Sequence, residues 1–371
     1  ERTLTVICGS GLCNRLRVLL SGRVMAAATG RKFKMLWPRN QHCGAGFQEL
    51  WEGGDDVHDL SVKMRRDLPP NIRWREKIPD ILSASERDLL FRCAVFLLRP
   101  GDYPAHVPLM KECSRSLDAM RPVAPVRETV ERFVAGRFRP VMIGVHVRRG
   151  DFLCAAPNEL SDAGEVFAAT DLALQRMPEA GILLCTDDGA PLPGGDGSPS
   201  KAEGVKERFA RRYGQRVVWH EPRELNRNTS AAIQDALVDL LLLRRTACVI
   251  GSKASTFSRM AGFGRDVPVV LCGSGTPGYR RMKRLLTATG IRRLMEWYLR
   301  KRYGRPMHFM TIATDLRRFV NRHWRRESRV EDTDILFTLN GTPRSVRVPR
   351  ARISQRENLS KAPGKRQTLR D

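Results

Sequence analysis

Thr3 to Cys8 (TLTVIC) is a short apolar run ending on Gly9-Ser10-Gly11, and the apolar positions that follow recur at helical spacing from Leu12 to Thr29, closing at Gly30. Phe33 to Trp37 (FKMLW) is then a second strand. Strand, glycine turn, helix and strand predict the opening of a βαβ unit, with a parallel sheet and a ligand near the first strand's carboxyl end. Residues 38–138 are less regular, with loops around 43–46 and 67–70 and helical spacing near 84–98 and 125–136. From Pro140 the alternation restarts, with strands at 141–147, 181–186, 216–219, 247–251 and 267–272. Helices fall between them at about 161–177, 200–213, 229–245 and 255–263, with a Gly/Pro/Ser loop at 189–199. This pattern predicts a complete doubly wound domain. Past residue 275 come basic helical segments (281–302 and 310–326) and a polar, irregular end at 327–371. The expected organisation is α/β: a Rossmann-like domain over 1–138, a second over 139–275, and a basic extension over 276–371.

Length and composition sharpen this picture. At roughly 100–200 residues per domain, 371 residues suit two domains with an extension. Hydrophobic residues at 42% and charged residues at 28% are ordinary globular values, which excludes wholesale disorder, collagen and coiled coil. Lys and Arg number 65 against 40 Asp and Glu, a net charge of +25 that calls for anionic partners. From Thr276 onward the balance is 25 against 8, so +17 of that charge belongs to the extension. Nine cysteines without a CxxC pair or zinc spacing predict reduced thiols. The longest apolar candidate for a membrane span, Ala236 to Leu243, carries Asp239 and stops at Arg244-Arg245. The chain begins at Glu1 without Met, leaving the compartment open: cytoplasmic or peripheral membrane if bacterial, Golgi or endoplasmic reticulum lumen if an anchor has been trimmed.

Four motifs could carry chemistry. The turn Gly9-Ser10-Gly11-Leu12-Cys13-Asn14-Arg15 lets backbone N–H groups and a helix N-terminus approach an anionic or hydroxyl-rich ligand, or simply turns the chain. It fails as a nicotinamide fingerprint, since Asn14 replaces the third glycine and no acidic residue ends the second strand. In His146-Val147-Arg148-Arg149-Gly150-Asp151, strand alternation puts His146 and Arg148 on one side and Arg149 at the exit, where it is expected to carry the larger share. Such an arginine fork can clamp a diphosphate, oriented by Asp151, or form a surface ion pair. Asp187 and Asp188, in Thr186-Asp187-Asp188-Gly189, can bind a metal, accept from a ribose or base, or turn the chain. Fourth, Asp239 lies in a leucine-rich helix, where a carboxylate needs a partner, and Ser255-Thr256 open the next helix as a phosphate cradle or a plain cap.

HVRRGD after an apolar strand, TDD about forty residues on, Asn226-Arg227-Asn228-Thr229 leading into the Asp239 helix, and a Ser/Thr-rich turn sixteen residues after that Asp together resemble the GDP-fucose-dependent fucosyltransferases. The likeness is greatest to the α1,6 group, and the α1,2 and protein O-fucosyltransferases share HxRR in looser form. It covers 140–272 well and 3–50 moderately. The resemblance implies a GT-B architecture and inverting, metal-independent transfer of L-fucose from GDP-β-L-fucose to a glycan or glycoconjugate, with no cofactor and no metal site. It implies that Arg148 and Arg149 grip the diphosphate and that His146 and Asp239 contact guanosine. Asp187, Asp188, Ser255 and Thr256 would complete the pocket, and the Gly11, Asn14 and Arg15 turn would close over it. The α1,6 group carries Thr-Asp-Lys after the arginines and then an acidic residue, whereas this chain has Gly150-Asp151-Phe152 and then Ala155-Ala156. Asp151 and Glu159 are therefore the candidate carboxylates for the base.

Two other features stand apart. Asp332-Thr333-Asp334 precedes its apolar stretch, which argues against a metal site. The segment 294–326 mixes Trp297, Tyr298, Tyr303, Phe309, Phe319 and Trp324 with clustered arginines, which suits an anionic membrane surface or an accessory helix packed on the second domain. Nucleic acid is the third option, since no recognised binding fold accompanies the charge. The rivals to fucosyl transfer are a GT-B transferase using another nucleotide sugar and a non-catalytic basic membrane- or nucleic-acid-binding protein.

Overall fold

The structure, a computed structural model, describes residues 1–60, 80–149, 163–189, 204–252, 255–265 and 267–272, with the strands at 333–339 and 342–348. Asp151, Glu159 and the 294–326 segment lie outside the described residues.

The first sheet is parallel. It contains β1 (Arg2–Ile7), β2 (Arg31–Trp37), β3 (Val57–Asp59) and β4 (Asp88–Arg92) in the order β3-β2-β1-β4. Helix α1 (Leu12–Ala28) follows the glycine turn and is buried along most of its length, because it fills the space between this sheet and the second half of the chain. The expected helix near 84–98 is a correction: β4 occupies part of it. In DLLFR, Leu89 and Phe91 point inward while Asp88 and Arg92 are exposed, a strand alternation that a longer apolar run disguises as helical spacing. Helices α2 (His106–Ala119) and α3 (Ala124–Arg137) complete this half.

The second sheet has the order β11-β10-β9-β8-β5-β6-β7. Its parallel strands are β5 (Met142–Val147), β6 (Gly181–Thr186), β7 (Val217–Val218), β8 (Cys248–Ser252) and β9 (Val269–Cys272). Helices α4 (Ala163–Arg176), α5 (Val205–Tyr213), α6 (Ser230–Leu243) and α7 (Thr256–Gly262) connect them. Every residue of β5 is buried, as a central parallel strand covered on both faces should be. The region expected to be irregular also holds strands: β10 (Thr333–Leu339) and β11 (Thr342–Val348) form an antiparallel hairpin, and β10 pairs antiparallel with β9. That expectation rested on polar composition, which does not exclude an edge hairpin.

In both sheets the order reverses beside the central strand, at β1/β4 and at β5/β8, and ligands of open α/β sheets bind outside the carboxyl ends at such switch points. The two halves share one apolar core. Leu16, Leu20 and Met35 belong to the same buried cluster as Leu237, Leu240 and Met260. The α6 terminus adds ion pairs from Arg244 to Asp118 on α2 and from Arg245 to Glu131 on α3. No helix among the described residues is long and apolar enough to cross a membrane. The eight described cysteines are all buried, and burial pushes the Cys13 and Cys93 thiols up to about 12, keeping them unreactive.

Candidate active site

The carboxyl ends of β5, β6 and β8 open into a cavity of about 460 Å³, roofed by the glycine turn of the first sheet. Gly11 and Asn14 line it from the first half, and His146, Arg148, Asp187, Asp239, Ser255 and Thr256 line it from the second. Eight of the residues singled out in the sequence thus meet in one place.

His146 is buried at the floor, its ring 4.8 Å from that of Phe257. Its Nδ1 lies 2.8 Å from the Ser258 hydroxyl, which itself accepts the Ser252 N–H at 3.1 Å. The hydroxyl keeps a second lone pair, so it can donate to Nδ1 or accept from Nδ1–H. This close packing needs Gly251, where a Cβ would sit 2.3 Å from Ser258 Oγ. Burial, helped by the nearby Arg148 charge, lowers the His146 pKa to about 3, so the ring is neutral at pH 7. The unfolded chain binds a proton near pH 6.5 that the folded chain refuses. Stability present above pH 6.5 is therefore lost as pH falls towards about 3. His146→Gln should flatten this part of the profile, by up to about 1.4 kcal/mol per pH unit; urea unfolding of both proteins from pH 7 to 4 tests it, and parallel curves would reject the assignment.

Asp187 organises the cations. Its Oδ2 is 2.6 Å from Arg148 Nη1 and 3.6 Å from Arg227 Nη2, and its Oδ1 accepts the Arg149 N–H at 2.6 Å. The Arg148 backbone N–H is held by Ser252 Oγ at 3.1 Å. Arg148 thus reaches the cavity with its guanidinium plane fixed. Arg149 does not line the cavity: its Nε pairs with Asp188 at 3.2 Å beside it, so of the two arginines it is Arg148 that stands on the cavity wall. The Asp188 side chain caps α5, its Oδ2 accepting the Val205 N–H at 2.7 Å, while its backbone N–H donates to Thr186 Oγ1 at 3.1 Å in the turn. Of the alternatives open for this pair, Asp188 takes the turn and Asp187 faces the ligand space. Among the described residues no group of three His, Cys, Asp or Glu side chains could hold a metal ion.

Asp239 finds a protein partner that sequence reasoning missed, His220 on the chain after β7, with Nδ1 to Oδ1 at 3.3 Å. Burial raises the Asp239 pKa against the pull of His220; burial alone would lower that of His220, but the Asp239 carboxylate outweighs it and raises it. Ser255 caps α7, its hydroxyl accepting the Ser258 N–H at 3.5 Å, and Thr256 stands beside it on the cavity wall. Arg15 is a correction. It is fully buried and does not line the cavity: its Nε donates to Ser10 O at 2.6 Å and its Nη1 to Pro38 O at 2.7 Å, with the guanidinium 4.8 Å above Trp37. It braces the turn from beneath. His42, Glu224 and Arg227 also line it; they come from loops whose place in space no periodicity encodes.

Two Rossmann-like sheets whose switch points face each other across a nucleotide-sized cavity define a GT-B architecture. The chain is similar to the NodZ alpha-1,6-fucosyltransferase soaked with GDP-fucose (16% identity, 73% of this chain and 95% of that one, TM-score 0.47) and to fucosyltransferase NodZ from Bradyrhizobium (17%, 73% and 95%, 0.43). It is similar as well to a mutant of Arabidopsis thaliana FUT1 in complex with GDP (15%, 73% and 70%, 0.46) and to POFUT1 in complex with GDP-fucose (12%, 72% and 94%, 0.41). No protein-family model and no curated protein matches the chain.

Proposed function

We propose that the chain is an inverting, metal-independent fucosyltransferase that moves L-fucose from GDP-β-L-fucose to a hydroxyl of a glycan or glycoconjugate. The observation that carries this reading is the convergence of Arg148 and Arg227 on Asp187 at the switch point of the second sheet, in one cavity with His146 and Asp239. Arginines held by a carboxylate present a fixed positive surface to a diphosphate, and they stabilise the charge that collects on GDP as it departs. Neutral His146 and the Asp239 carboxylate supply a donor and an acceptor for guanosine. In the reaction the acceptor oxygen bonds to C1 of fucose, the bond from C1 to the phosphate oxygen breaks with its electron pair leaving on GDP, and the hydroxyl proton passes to a base. Asp151 and Glu159 are the sequence candidates for that base. The engagement of both Asp187 and Asp188 by arginine supports a role for arginine in place of a metal.

Thermal stabilisation separates this reading from its rivals. GDP should raise the melting temperature well above what UDP or ADP does, and fucose transfer should survive EDTA. Preference for another nucleotide would point to a different donor, and no response to any nucleotide would point to a non-catalytic binder. Loss of transfer on chelation, restored by Mn²⁺ or Mg²⁺, would overturn the metal-free mechanism.

A further inference from the structure

The segment Asn40–Gly46 of the first half leaves β2 and folds against the second half. Asn40 pins it: its Nδ2 donates to Gly9 O at 2.7 Å, and its Oδ1 accepts from Arg15 Nη2 at 3.2 Å and from the His42 N–H at 2.9 Å. Asn40 and Cys43 also exchange backbone hydrogen bonds at 3.1 and 3.0 Å. The next residue crosses the cleft: the Gly44 N–H donates to Arg227 O at 2.8 Å. The approach is so close that a Cβ on Gly44 would lie 2.0 Å from Asn228 O and 2.6 Å from Thr229 N, so only glycine fits. A second tie runs parallel to it, from Gln234 Nε2 on α6 to Glu49 O at 2.9 Å.

Arg227 is where this docking meets the chemistry. Its backbone carries the contact with Gly44, its side chain lines the cavity, and its guanidinium lies 3.6 Å from the Asp187 oxygen that also holds Arg148. A continuous path of contacts thus runs from buried Arg15 through Asn40 and Gly44 to Arg227, and through Asp187 to Arg148.

We propose that Gly44 is a positioning residue: the first-half segment Asn40–Gly46 latches onto the Arg227–Asn228 backbone and so places Arg227 as a further arginine for the donor diphosphate. The proposal rests on the donor reading given above. Arg148 and Arg227 both belong to the second half, but the backbone of Arg227 is held by Gly44 of the first, so donor affinity depends on contact between the halves.

The test measures GDP binding by calorimetry for the full chain and three variants. Arg227→Ala should weaken GDP by about 10- to 100-fold, the loss expected for a charge-assisted contact. Gly44→Ala should weaken it in the same direction although residue 44 itself contributes no charge, and Gly44→Ala with Arg227→Ala should be no weaker than Arg227→Ala alone. Wild-type GDP affinity in folded Gly44→Ala, or losses that add in full, would overturn the latch while leaving the donor reading in place. Should Gly44→Ala not fold, Gln234→Ala decides: GDP weakening that disappears in the Arg227→Ala background supports the latch, and unchanged affinity overturns it. A wild-type chain that binds no GDP overturns the donor reading and the latch with it.

Discussion

Arg148→Ala is expected to lower kcat/KM for fucose transfer by about 10²- to 10³-fold, roughly 3–4 kcal/mol of lost transition-state stabilisation by analogy with the removal of one oxyanion donor. The side chain ends in the cavity and is held by Asp187 at 2.6 Å, so its charge is already in position when the diphosphate departs. Deletion also leaves the half-buried Asp187 carboxylate facing an anionic donor, which adds repulsion to the loss. Lysine should not restore activity, because a point charge cannot pair with Asp187 and the donor in one plane. Arg149→Ala should be the milder change, since that side chain pairs with Asp188 outside the cavity. Initial-rate kinetics with GDP-fucose decide the matter: near wild-type turnover in a folded Arg148→Ala protein would remove the diphosphate clamp from the mechanism.

The second large effect belongs to Asp239. Asp239→Ala should weaken GDP about 10- to 100-fold, the scale of a hydrogen bond to a charged group, because its carboxylate faces both the cavity and His220. His220 does not line the cavity, so His220→Ala breaks the same pair and should lower stability with little change in GDP affinity. Calorimetry on both variants distinguishes the roles. Unchanged GDP affinity in Asp239→Ala together with a large fall in melting temperature would make Asp239 a structural helix residue.

Much of this arrangement was legible because strand ends are where sequence order and spatial order coincide. His146, Arg148 and Asp187 sit at the carboxyl ends of adjacent β5 and β6, so identifying the strands nearly placed the site. What failed was orientation. Arg15 follows the glycine turn and looked like a ligand, yet on the first turn of α1 it points under the turn to Pro38 and Asn40. The two adjacent arginines diverge as the chain leaves the strand, and sequence could not tell which would face the cavity. Arg227 stood in a quoted motif without a role, and His42 was beyond reach for another reason: it lies on a first-half segment that packs against the second half through a glycine that reads as an ordinary loop residue. The β4 segment failed on periodicity, since a strand beside a longer apolar stretch satisfies both spacings.

The hairpin at the edge of the second sheet changes what the basic segment is. Because β10 runs antiparallel to β9, with Leu336 opposite Leu271, residues 273–332 leave and rejoin the sheet at the same end. Those residues carry 16 Lys and Arg against 5 Asp and Glu, and in chain order they lie between two paired strands of one sheet. Cutting the chain after β9 would strip two strands and expose a bare sheet edge, a self-association hazard, whereas replacing 273–332 by a tight turn would remove the charge and keep the edge sealed. Excision and truncation therefore pose different physical questions.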